Sequence, residues 1–157
     1  MALRAHLSAS LAFLILSVDP CAARGEAPKA CDLLNAQMAA SLSGGPVNAP
    51  FDLQGIGCSY TSKSGAATVG LTITDAEKTT PADFQRMQQT TAMQQGAKTE
   101  TIPGVGEHNF YVERVSQENG LVVLYHQKML SLGLKRQTTP ALKAQMIQMM
   151  KQFLAKI

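Results

Sequence analysis

Cys31 and Cys58 constrain this chain more than any other pair of residues. The sequence carries three cysteines, and the third, Cys21, sits inside a segment built like a removable export signal. Arg4 and His6 give a short basic start, Leu11–Val18 (LAFLILSV) is an apolar run, and Cys21-Ala22-Ala23 offers small residues for cleavage after Ala23. That order is the one a secretory signal peptide uses, and the run falls far short of the ~20 apolar residues that span a bilayer. Residues 1–23 are therefore read as a signal peptide and residues 24–157 as a single domain. The rival reading makes Cys21 the acylated cysteine of a lipoprotein. Val18-Asp19-Pro20 precede it, where lipoprotein processing favours Leu, then Ala or Ser, then Gly or Ala, so the anchor is the less favoured reading.

What remains after cleavage is an even pair of cysteines in an exported chain, and the expectation is a disulfide between Cys31 and Cys58. Closing a loop of about 28 residues stabilises by roughly 3–4 kcal/mol in the chain-entropy picture. A metal or redox pair would call for Cys-x-x-Cys or a nearby histidine. The sequence has neither, and His108 and His126 lie far along the chain.

Size and charge narrow the function classes. A chain of 157 residues with 45% hydrophobic content supports one core. Cleavage removes Arg4 and Asp19, so the net charge stays at +3. That value is spread along the chain rather than gathered in a basic patch, and with 5% aromatics and no Trp it excludes a nucleic-acid binder.

Periodicity supplies the elements. Cys31, Leu34, Met38 and Leu42 recur at helical spacing, Asp32 suits the first turn, and Gly44-Gly45-Pro46 ends the helix. Residues 46–56 read as loop and 57–61 as a short strand. After a turn at 62–65, Ala67, Val69, Leu71 and Ile73 alternate with polar or small residues as in a half-buried strand. Thr80-Pro81 opens a second helix by a cap and a proline at its first position, with Phe84, Met87 and Met93 on a thin apolar side. Strands are expected at 98–102 and 110–115, then a hairpin turn at Glu118-Asn119-Gly120, since Asn-Gly favours positive φ. Strands follow at 121–126 and around Leu130, Leu132 and Leu134, and Thr139-Pro140 opens a last amphipathic helix. Segregated runs of this kind predict an α+β domain with an antiparallel β-sheet of about six strands covered by helices.

Short motifs at the element starts resemble a family of small exported bacterial envelope proteins and lipoproteins, the LpqN-like proteins. They are Cys31-Asp32-Leu33-Leu34 opening a helix, Gly57-Cys58-Ser59-Tyr60 opening the sheet, Ile102-Pro103-Gly104-Val105-Gly106-Glu107 before the meander, and the closing helix. The resemblance covers about residues 30–157. It implies paired cysteines and an α/β/α sandwich like that of photosystem assembly proteins, and it brings no catalytic residues.

Catalytic constellations are hard to assemble from the rest. There is no Gly-x-Ser-x-Gly, the carboxylates are scattered, and Gly104-x-Gly106 meets Asn109 where a dinucleotide motif wants Gly. His108 is expected exposed beside Glu107, and His126 is expected as a structural histidine ending a strand. Met146, Met149 and Met150 crowd one helix. Thioethers bind Cu(I), so these three are the candidate copper ligands, but their spacing with Leu142 and Phe153 is that of core packing. Residues 85–95 (QRMQQTTAMQQ) form a polar helix that is either solvated surface or a partner-binding stripe. The expectation is an exported, non-catalytic binding or accessory protein of the cell envelope, without cofactor, that engages a protein partner or a small apolar ligand. A periplasmic copper-handling role for the methionine cluster is the alternative. Intact mass of the exported protein tests the first step: the chain should begin at Arg24 and lack the two thiol hydrogens, whereas added acyl mass on Cys21 would establish the lipoprotein instead.

Overall fold

Val69, Leu71 and Ile73 alternate with Thr68, Gly70 and Thr72, and Leu130, Leu132 and Leu134 alternate with Met129, Ser131 and Gly133; a period of two puts each set on one face of a strand. The structure, a computed structural model, describes residues 28–94, 96–115 and 118–157, so the export signal read over residues 1–23 lies outside the described residues. It pairs these two strands at the centre of an antiparallel sheet of seven strands. In chain order the elements are α1 (Ala30–Leu33), α2 (Ala36–Ser43), β1 (Phe51–Leu53), β2 (Gly57–Thr61), β3 (Thr68–Asp75), α3 (Pro81–Ala92), β4 (Ala97–Glu100), β5 (His108–Arg114), β6 (Glu118–Tyr125), β7 (Lys128–Lys135) and α4 (Pro140–Leu154). The sheet order is β1-β2-β3-β7-β6-β5-β4, two meanders joined where β3 meets β7.

The α+β reading holds, with helices on both faces. On one face, Val69, Leu71, Leu132 and Leu134 pack with Leu33, Leu34 and Leu42 of the first two helices and with Met146, Met150 and Phe153 of α4. On the other, Phe84 of α3 packs on Phe110, Val112 and Leu124. The disulfide Cys31–Cys58 forms, with Cα atoms 5.0 Å apart, and ties α1 to β2. No helix among the described residues is long and apolar enough to cross a membrane.

Four local readings are corrected. The first helix breaks in two: Leu34 is extended, and the Asn35 side chain accepts from Met38 N at 2.9 Å to start α2 afresh, the capping role in which Asn outcompetes a continuous helix. The seventh strand is β1, inside the expected loop at 46–56; three residues are too few for a period to show. The Asn-Gly pair is not the hairpin turn. β5 ends at Arg114 and β6 starts at Glu118, so Asn119 and Gly120 lie within a strand. Asn119 is buried, its Oδ1 accepting from Arg114 N (3.0 Å) and its Nδ2 donating to the Arg136 carbonyl (3.0 Å) and Thr138 Oγ1 (2.6 Å). Finally, His126 does not end a strand. With Gln127 it forms the β6–β7 turn at φ of 45° and 61°, exposed and with its ring stacked on Tyr125.

A second buried asparagine holds the 102–107 loop against the core. Asn109 Oδ1 accepts from Ile102 N (2.8 Å), and Nδ2 donates to the Ile102 (2.9 Å) and Val105 (2.6 Å) carbonyls. Val105 is thereby sunk into the main core at 1% exposure. Gly106, at φ +61°, passes so close that a Cβ would meet Val123 Cγ1 at 2.3 Å, whereas Gly104, at φ +71°, has open space around it. Urea unfolding should therefore separate the two: Gly104→Ala costs about 1 kcal/mol for the left-handed backbone alone, and Gly106→Ala about 3 kcal/mol because overpacking is added.

At α3, Thr80 Oγ1 and backbone N donate to Asp83 Oδ2 (2.6 and 3.1 Å) while Asp83 N donates to Thr80 Oγ1 (3.2 Å). The Thr80 hydroxyl bond holds the Asp83 carboxyl below its ordinary range. A group with a lowered folded pKa stabilises above its unfolded value and loses that contribution as pH falls through the folded one. Amide exchange in α3 should thus speed up on acidification, and a Thr80→Ala variant should lose most of that pH dependence.

Candidate functional site

A helix must lie on a sheet face to dry it, and α3 is the one described helix on the second face. It packs against β4 and β5, at one end of the strand order. The second face of β1, β2, β3 and β7 is left open. Its side chains there are half-buried or exposed: Ser59, Thr68, Thr72, Thr74, Ser131 and Lys135.

Register turns this face into a trough. At one level across the sheet the successive cross-strand partners are Phe51, Ser59, Gly70, Gly133, Gly120 and Val112. Three adjoining glycines, on β3, β7 and β6, make the floor bare backbone. One wall is β1, whose Phe51 and Leu53 are 66% and 48% exposed. The other is α3, through Met87 and Thr91. Three adjoining hollows of about 140, 340 and 300 Å³ run between the walls and share Gly70 or Gly133. From β2 to β6 the floor is roughly 14 Å wide at the usual strand spacing. Charge is confined to one end, where Glu118 stands opposite Lys135 and Arg114 Nη2 donates to Gln94 Oε1 at 2.8 Å. The middle is neutral, with hydroxyls from Ser59, Thr72 and Ser131 beside the glycines. Such a surface suits an uncharged or apolar guest.

The fold does not need all of these glycines. A Cβ on Gly70 would meet nothing nearer than 3.8 Å and one on Gly133 nothing nearer than 4.0 Å, both ordinary contacts, and neither residue has a left-handed φ. Glycine inside a strand costs about 0.5–1 kcal/mol relative to alanine, so both positions forgo stability. At Gly120 a Cβ would come 3.4 Å from the Leu132 carbonyl, where room is tighter.

The side chains singled out from sequence lie elsewhere. Met146, Met149 and Met150 are 0%, 7% and 0% exposed between α4 and the sheet, the place that core packing expects. His108 is half-buried with its ring 6.1 Å from Phe84, and His126 is in the exposed β6–β7 turn; neither lines the trough. On α3, Gln85, Arg86 and Gln89 face solvent, and Met87 turns inward to the trough wall. Among the described residues no three His, Cys, Asp or Glu side chains are placed to hold a metal ion. Beneath the start of α4, Tyr111 is buried with Lys143 Nζ 4.6 Å above its ring, and Lys143 pairs with Glu100. Desolvation pushes the Tyr111 phenol above its ordinary range against a pull from the Thr138 hydroxyl, which keeps it neutral and unreactive.

The trough was not among the readings made from sequence. Glycines at 70, 120 and 133 are unremarkable one strand at a time, and they meet only through the register. No protein-family model, curated protein or solved structure matches the chain. Thermal unfolding checks the spare space directly: Gly70→Ala and Gly133→Ala should each stabilise by about 0.5–1 kcal/mol, and Gly120→Ala by less.

Proposed function

We propose that this is an exported, non-catalytic binding module of the bacterial cell envelope, and that it receives a small apolar ligand, or an apolar segment of a protein partner, on the open face of its sheet. The observation that carries this is the pair Gly70 and Gly133: the backbone there accepts a side chain, yet the floor is kept bare at a cost in stability. Exposed Phe51 and Leu53 along one wall, and Met87 along the other, give the guest apolar contacts on two sides. The disulfide and the lack of a membrane-crossing helix among the described residues are compatible with export. A binding role also needs none of the histidines, buried methionines or scattered carboxylates to act as a group.

Filling the trough without disturbing the fold is the test. A Gly70→Val, Gly133→Val variant places two β-formers where there is room. The parent should bind 1-anilinonaphthalene-8-sulfonate saturably, with fluorescence enhancement, and the variant should bind it about tenfold more weakly while melting no lower. Native mass spectrometry of both forms purified from the host should show any retained molecule on the parent and none on the variant. Equal binding by parent and variant would remove the trough from the proposal.

A further inference from the structure

The two edges of the sheet are chemically unlike, and each carries exposed apolar groups. β1 and β4 end the strand order, so each has one backbone edge without a partner strand among the described residues. On β1, Asp52 is exposed and points to the helix-packed face, the side of its partner Cys58, while Phe51 and Leu53 point to the trough side. On β4, Lys98 is exposed and shares the helix-packed face with its partner Glu113, while Ala97 and Thr99 share the trough side with Arg114 and Val112. Apolar exposure falls at the same two ends: Phe51, Leu53 and Ile56 (52%) at the first, and Met93 (83%) and Val115 (86%) at the second. Val115 N donates to the Gly96 carbonyl at 3.2 Å, which sets that second patch beside the start of β4.

We propose that copies of this chain associate end to end, the β1 edge of one molecule pairing antiparallel with the β4 edge of the next. The register that sets Asp52 opposite Lys98 also sets Phe51 opposite Thr99 and Leu53 opposite Ala97. Alternation then matches on both faces: the opposite charges meet on one, and the Phe51–Leu53 patch meets the Met93–Val115 patch on the other. Two β1 edges related by a twofold in the same way would place Asp52 opposite Asp52, which disfavours the symmetric dimer. An interface between unlike edges does not close on itself, so association is open-ended, and successive troughs line up on one face of a continuing sheet.

Sedimentation velocity on residues 24–157 across protein concentration and salt tests this. The parent should form a concentration-dependent ladder of oligomers that weakens as salt rises. Asp52→Lys and Lys98→Asp should each weaken association about tenfold, because each sets like charges opposite one another. An equimolar mixture of the two variants should restore it, since each variant's changed edge then fits the other's. Lys98→Asp is the safer variant, because no hydrogen bond or ion pair of the Lys98 side chain occurs among the described residues, whereas Asp52 Oδ1 accepts from Gly55 N at 2.8 Å. A parent that stays monomeric at every concentration overturns the proposal. So does association that neither substitution alters, or that the mixture of variants fails to restore.

Discussion

The pairing of β3 with β7 is the contact on which the rest of this structure depends. It joins two meanders, β1-β2-β3 and β4-β5-β6-β7, that are separated in sequence by α3. Along it Val69 meets Leu134, Leu71 meets Leu132 and Ile73 meets Leu130, all on the face that α1, α2 and α4 cover. A slip of one residue would turn those six side chains to the other face and bring Gly70 and Gly133 into the core. The same register that buries the aliphatic residues therefore also lays the glycines side by side on the second face. Core and trough are two sides of one constraint.

The disulfide and the buried asparagines serve that seam from its flanks. Cys31–Cys58 fastens α1 to β2, next to β3, and so fixes the helical cover of the first meander. Asn109 pins the 102–107 loop so that Val105 enters the core, and Asn119 links the end of β5 to the chain entering α4. Each asparagine stands in for backbone partners that the strands alone would leave unmet, which is why both are buried yet satisfied.

Much of this was legible from residue order. The strict alternation at 67–74 and 129–135, the Thr-Pro starts of α3 and α4, and the cysteine pair each carry a local physical signal that tertiary context leaves intact. Asn119-Gly120 misled because the conformational preference of Asn-Gly for a turn is weaker than three buried hydrogen bonds. Asn35 was hidden inside a continuous helical period, since capping geometry does not alter apolar spacing. Phe51–Leu53 is too short to show a period at all. The trough lay furthest from reach: it arises from cross-strand partners up to 63 residues apart, such as Gly70 and Gly133, and no local pattern encodes which strands become neighbours.

Whether the open sheet face is the binding surface is decided most directly by amide chemical shifts. Uniformly ¹⁵N-labelled residues 24–157 would be titrated with 1-anilinonaphthalene-8-sulfonate and the shifts mapped onto the strands. A guest in the trough should move the amides of Ser59, Gly70, Thr72, Ser131 and Gly133 together with Met87 and Thr91, and leave those of Met146–Leu154 in place. Shifts confined to α4 and the helix-packed face, or no saturable shifts on the second face, would contradict it.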